Sequence, residues 1–152
     1  MVAELLKGGE VPTVLDADAL QPDLVKTGDV ARVLTPHAGE FARIAEECDL
    51  REFATASRVT VLKGPTTRIC AGGPVWHSFT GGPVLARGGS GDVLAGLIGG
   101  LLAQTPKEPA LAARRGVYWH GLAADYVART QGQVAVRTLD VVAALGPALR
   151  EG

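Results

Sequence analysis

Three short apolar runs punctuate the first half of the chain: "VPTVL" (11–15), "ARVL" (31–34) and "RVTVLKG" (58–64). Each is rich in β-branched residues, and each gives way to polar turn chemistry in "DADAL", "TPHAGE" and "PTT". A strand with one wet face alternates apolar and polar residues. An unbroken run needs both faces covered, as in a parallel strand between two helix layers. "AGEFARIAEECDLREFA" has a helical period and lies between the second and third runs. "RICA" (68–71) and "PVWHS" (74–78) surround a Gly-Gly and predict a β-hairpin.

The second half reads as helices. "DVLAGLIGGLLAQ" is a small-residue helix, and "EPALAARRGVYWHGLAADYVART" is a longer one, with Pro109 in its first turn and Gly132 just past its end. "TLDVVAALGPALRE" is the last, with Thr138 placed to cap it and Asp140 in its first turn. Strand–helix alternation followed by a helical tail predicts an α/β three-layer fold with a mostly parallel sheet. Right-handed crossovers align the strand C-terminal ends. "DAD", "TPHAGE" and "KGPTT" then share one edge, where open α/β sheets bind ligands.

Composition narrows the function. The chain has 152 residues, 47% hydrophobic and 20% charged, enough for one domain with a real core. Net charge is −1 with no basic tail, which argues against a nucleic-acid or anionic-membrane surface. No segment reaches the roughly 18 apolar residues of a membrane span. Cys48 and Cys70 lack metal-ligand spacing and read as free thiols of a reducing cytosol.

The stretch "RGGSGDVLAGLIGGLLAQ" (87–104) carries the strongest chemical signal. Glycines at 88, 89 and 91 let backbone N–H groups curl inward at a helix start, a cradle for phosphate or a developing oxyanion. The alternative is a packing motif, the expected role of Gly96, Gly99 and Gly100. Asp92 is either a helix-start acid or a base that takes a proton from a hydroxyl attacking bound phosphate. "KGPTT" joins a strand-end Lys63 to a turn at Gly64 and Pro65 and to hydroxyls at Thr66 and Thr67; it is either a phosphate holder or a solvated exit, and it lacks P-loop spacing. In "TPHAGE", His37 and Glu40 lie three apart at a helix start. They either cap the helix or serve one site, His37 bonding a ligand and Glu40 ordering a hydrated magnesium ion. Asp16 and Asp18 read as turn residues ahead of a metal pair, and His77 and His120 as surface or packed histidines.

Taken together, "VLDADAL", "LTPHAGEFARI", "VLKGPTT" and "GPVLARGGSGDVLAGLIGGLLAQ" resemble the ADP- or ATP-dependent NAD(P)H-hydrate dehydratase family, which has a ribokinase-like fold. The resemblance implies nucleotide-driven dehydration of hydrated NADH and NADPH in the cytoplasm, with ADP or ATP as co-substrate and magnesium as cofactor. Carried across, His37 and Asp92 contact the hydrate, and Asp92 is the catalytic base. Lys63, Gly64, Pro65, Thr66, Thr67, Gly88, Gly89 and Gly91 hold the adenine nucleotide, and Glu40 reaches magnesium through water. A small-molecule kinase and an inactive nucleotide-binding fragment are the alternatives. Gly82-Pro83-Val84-Leu85-Ala86-Arg87 departs from the Asn-Pro-Gly-Met-Ala-Thr common in the family, and Arg87 is either a phosphate partner or a solvent-facing charge. Residues 1–152 correspond to the C-terminal part of such a domain, with the sheet incomplete on its N-terminal side. An apolar strand edge is then exposed, so the chain alone is expected to be weakly active or inactive, or to form homo-oligomers that cover that edge.

Overall fold

A computed structural model describes residues 2–151. Strands β1 (Thr13–Leu15), β2 (Arg32–Leu34) and β3 (Arg58–Leu62) run parallel, with Val14 beside Val33 and Val33 beside Val59. From β3 the chain turns back into β4 (Thr67–Cys70) and again into β5 (Trp76–Ser78), both pairings antiparallel. The order is β1-β2-β3-β4-β5, a mixed sheet whose parallel half is the part that carries the crossovers. The hairpin expected over 68–78 is present.

Successive strand residues go to opposite layers. Val33, Val59, Val61 and Ile69 pack against Leu94, Ile98, Leu101 and Leu102 of α5 (Ser90–Gln104) and Ala112, Ala113 and Val117 of α6 (Pro109–Gln131). Leu15 and Leu34 face the other way, onto Leu6 of α1 (Val2–Gly8), Val25 of α2 (Pro22–Val25), Ile44 of α3 (Ala38–Ala45) and Phe53 of α4 (Leu50–Phe53). Covering both faces is why the runs are unbroken, and each fully buried aliphatic side chain contributes roughly 1.5–3 kcal/mol. The last helix, α7 (Thr138–Glu151), packs on α6 through Val141, Ala144 and Ala148.

The segment read as one helical stretch from Ala38 onward is two helices. Glu46 and Glu47 adopt left-handed backbone (φ 49° and 73°), which ends α3. Asp49 then caps a new helix, accepting from the N–H of Arg51 (2.7 Å) and Glu52 (3.0 Å). Glu52 returns a carboxylate to the Asp49 N–H, completing a capping box. Pro109 and Gly132 bound α6 as expected, Gly132 with φ 81°.

Two local expectations differ. Thr138 begins α7, but its hydroxyl leaves the helix and donates to the carbonyl of Gly88 (2.8 Å); Asp140 satisfies the Arg137 N–H instead (2.7 Å). The α5 glycines are not the close-packing ones: Cβ atoms at Gly96 and Gly100 would meet nothing within 4 Å, and one at Gly99 only Val14 at an ordinary 3.9 Å. Close approach occurs on α6, where a Cβ at Gly116 would lie 2.5 Å from Ile98 and one at Gly121 would lie 2.1 Å from the Thr80 hydroxyl. The chain leaving β5 thus lies directly on α6, and the Gly81 N–H donates to Asp125 there (3.1 Å). That seating carries residues 82–89 across to the start of α5.

Candidate functional site

The three strand ends meet at one edge, as the motifs require. Lys63 follows β3; its backbone N–H donates to the Pro36 carbonyl (2.8 Å), and it bridges His37 in parallel fashion. Its ammonium group reaches Asp16 at the end of β1 (2.9 Å) and lies 4.0 Å from Glu40. Strand alternation aims Lys63 toward the α5 layer. A Cβ at Gly91 would sit 3.3 Å from Lys63 Nζ and 3.6 Å from Asp16 Oδ2, so Gly91 keeps the turn close to both charges.

His37 takes the capping role offered for it. Its side chain is the N-cap of α3, with Nδ1 accepting from Gly39 N–H (3.0 Å) and Glu40 N–H (3.2 Å). An accepting Nδ1 places the proton of the neutral ring on Nε2. That N–H lies 3.5 Å from Glu40 Oε1 on a side chain 62% exposed, so it is available as a donor to a ligand. Glu40 also receives the His37 N–H at 2.7 Å, closing a capping box. The cap locks the imidazole and the carboxylate in fixed orientations at the sheet edge.

Across the edge stands the glycine turn. Gly89 precedes α5 in left-handed backbone (φ 81°), where glycine is needed, and no side chain caps the helix. The first-turn amides of α5 therefore face the site without a side-chain acceptor, and the helix dipole adds positive potential there. Asp92 stands exposed in that first turn, its carboxylate without a hydrogen-bond or ion-pair partner among the described residues. Thr66 and Thr67 are half-buried at the β3–β4 turn with Gly64 and Pro65 exposed beside them, and their hydroxyls are likewise unengaged.

Arg87 is half-buried and engaged with backbone on two of its nitrogens. Its guanidinium donates to the carbonyls of Val84 (3.1 Å), Gln133 and Val134 (3.2 Å). Asp18 sits exposed in a 3₁₀ turn (Ala17–Ala19), and it is Asp16 that reaches Lys63. His77 is exposed and stacks on Phe79, whereas His120 is buried in α6. Asp16 is the residue that local reading underrated, because its partner Lys63 is 47 positions away. The shared edge of the three motifs was the available signal.

Among the described residues there is no cluster of three metal-ligating side chains. Two carboxylates, Asp16 and Glu40, flank Lys63, and Asp16 Oδ2 has no partner. That donor set fits a hydrated magnesium ion held chiefly by phosphate oxygens, not an all-protein cage.

An uncapped glycine turn, a fixed lysine and a free carboxylate on the ligand edge of a three-layer sheet define an α/β protein built to receive an anion beside a proton acceptor. Comparison with known proteins gives that class a family. Residues 2–146 match the NAD(P)H-hydrate dehydratase family. A bifunctional NAD(P)H-hydrate repair enzyme of Moorella thermoacetica is 42% identical over an alignment covering 99% of this chain and 31% of that protein. The crystal structure of an ADP/ATP-dependent NAD(P)H-hydrate dehydratase from Bacillus subtilis, co-crystallised with ATP and magnesium, superposes with a TM-score of 0.80 at 31% identity. The superposition covers 92% of this chain and 55% of that one. A ribokinase-like superfamily protein of Enterococcus faecalis superposes with a TM-score of 0.69 at 29% identity, covering 91% of this chain and 52% of that one. The chain belongs to the NAD(P)H-hydrate dehydratase family, has the ribokinase-like α/β fold, and spans about a third of the curated relative and about half of the solved neighbours.

Proposed function

We propose that the chain takes part in ADP- or ATP-dependent dehydration of hydrated NADH or NADPH in the cytoplasm, as the C-terminal part of the catalytic domain, 1–152. The observation that carries this reading is the unpartnered Asp92 carboxylate beside the uncapped glycine turn, in a chain of this family. Family membership and the ATP–magnesium co-crystal of the Bacillus subtilis neighbour support the choice of ligands.

Gly88, Gly89 and Gly91 cradle the nucleotide phosphates with backbone amides, and Lys63 adds positive charge. Gly64, Pro65, Thr66 and Thr67 hold the phosphate–ribose part. His37 donates from Nε2 to the hydrated nicotinamide. Asp92 removes the proton from the hydrate hydroxyl, whose oxygen bonds to the terminal phosphorus as the bond to the bridging oxygen breaks. AMP leaves from ADP, or ADP from ATP. The lone pair of the ring nitrogen then expels phosphate, the carbon–oxygen bond breaks, a ring proton is lost and the double bond returns. Glu40, through water, and Asp16 would hold a magnesium ion at this edge, and the ion would supply charge neutralisation to the phosphates. The chain works as a homo-oligomer.

Calorimetric titration of ADP into the purified chain, followed by its incubation with hydrated NADH and ADP, tests the proposal. We expect ADP to bind and the NADH absorbance band to return, slowly for this chain alone. Asp92→Asn is expected to keep ADP affinity within about threefold and lower turnover by at least about 100-fold, the scale of a lost general base. Unchanged turnover in the variant removes Asp92 from the reaction, and a phosphorylated alcohol as product makes the chain a kinase.

A further inference from the structure

Within itself the glycine turn is held by the Ser90 N–H on the Arg87 carbonyl (3.3 Å) and the Val93 N–H on the Gly89 carbonyl (3.1 Å). Gly88 and Gly89 are exposed, a Cβ at Gly88 would meet nothing within 4 Å, and Gly89 has left-handed backbone. Glycine backbone surrenders more conformational entropy on ordering than any other residue, so two backbone bonds alone leave a turn of this kind several shapes. A preorganised phosphate cradle needs one shape.

Two side chains outside the cradle provide it. On the upstream flank, Arg87 spreads its donors over the carbonyls of Val84, Gln133 and Val134. The last two belong to the connection between α6 and α7, immediately past the Gly132 that ends α6. On the downstream side, Thr138 sends its hydroxyl back to the Gly88 carbonyl (2.8 Å), and a Cβ at Gly89 would lie 3.7 Å from its methyl. Residues 87–89 are therefore tied at two points to residues 133–138. These bonds occupy Nε and Nη2 of Arg87 and turn the Thr138 hydroxyl away from its own helix. Arg suits the first role, because its planar fork can serve several carbonyls at once, which a lysine ammonium on a flexible stem does poorly. The connection itself is anchored by Val136, 3% exposed in the α6–α7 core.

We propose that Arg87 and Thr138 are positioning residues for the phosphate cradle. They fix the Gly88–Gly91 turn to the α6–α7 connection, and nucleotide affinity depends on that tether. The inference rests on the nucleotide reading given above and adds residues that touch no ligand.

Two measurements on the intact chain decide it. First, without ligand, amide hydrogen exchange at residues 88–92 is expected to rise about tenfold or more in R87A/T138V, while exchange in the sheet and the α5–α6 core stays unchanged. Second, R87A and T138V are each expected to weaken ADP binding about tenfold, the equivalent of one lost charge-assisted or well-formed hydrogen bond. T138S, which keeps the hydroxyl, retains wild-type affinity, and R87K binds as weakly as R87A. ADP also slows exchange at 133–138 in the wild type and not in the double variant. A purely structural role would not produce the serine rescue or the lost protection at 133–138. Unchanged exchange at 88–92 overturns the tether, and unchanged ADP affinity in a variant whose turn exchanges faster overturns its role in binding. A wild-type chain that binds neither ADP nor pyrophosphate overturns the nucleotide reading, while the exchange measurement still judges the tether.

Discussion

His120 is 4% exposed on α6, and its Nε2 has no hydrogen-bond partner. Burial lowers its pKa from 6.5 to about 4. As pH falls, the unfolded chain takes up this proton first, because its histidine keeps the ordinary value. The folded state is thus unpenalised above about pH 6.5 and loses stability progressively toward pH 4, by about 3 kcal/mol in all. Urea unfolding at pH 7 and pH 4.5 reads this directly. His120→Leu is expected to flatten that part of the pH dependence, and a variant with the wild-type slope would falsify the assignment. Asp16 and Lys63 illustrate a different residue-scale point. Each has a bland local explanation as a turn acid or a solvated lysine, and Asp16 does open a 3₁₀ turn, but neither explanation contains the 2.9 Å contact that folding creates between them.

The helices differ in what their glycines do. In α5, Gly96 and Gly100 have open space where a Cβ would stand, and their backbone is not left-handed. Gly96→Ala and Gly100→Ala are each expected to raise stability by roughly 0.5–1 kcal/mol, by restricting the unfolded chain and improving helix propensity. In α6, a Cβ at Gly121 would also lie 2.8 Å from the Thr80 backbone, which has no flexible end to yield. Gly121→Ala is expected to cost about 1–3 kcal/mol and to displace the segment that delivers the glycine turn. Urea midpoints of the three variants separate these cases, and a stabilised Gly121→Ala chain would refute the packing account. A glycine pattern looks alike in both helices. What differs is the neighbour, which sequence spacing does not contain. Arg32 makes the same point at the far end of β2: it is a buried arginine whose guanidinium lies against the Leu6 and Leu24 carbonyls of α1 and α2 (3.4 and 3.5 Å) and ties the back layer to the sheet.

For the whole molecule, the decisive feature is that β1 ends the sheet. Thr13 N–H donates to Ala31, and the Leu15 carbonyl accepts from Thr35, so the N–H and C=O of Val14 between them point away from β2. An edge of this kind is a template for pairing with another chain. Sedimentation of the purified chain is expected to show dimers or larger species. Val11→Lys, a charge at an exposed position just ahead of the edge, is expected to shift it toward monomer without loss of stability. A chain that sediments as a monomer at all concentrations refutes self-association.

Local pattern was enough for the layers, the parallel strands, the hairpin and the shared edge of "DAD", "TPHAGE" and "KGPTT". Each depends on hydrophobic period, turn residues and crossover handedness, and these act over a few residues or through general geometry. The same pattern missed the break at Glu46–Glu47, since a capping box at Asp49 and a continued helix share one amphipathic period. It also could not assign Arg87 or Thr138. The bonds that join them across the α6–α7 connection span 46 to 50 positions, over a turn closed only when α6, α7 and the glycine segment pack together. Hydrophobic period is written residue by residue along the chain, but a hydrogen bond between distant segments exists only once burial has fixed both ends.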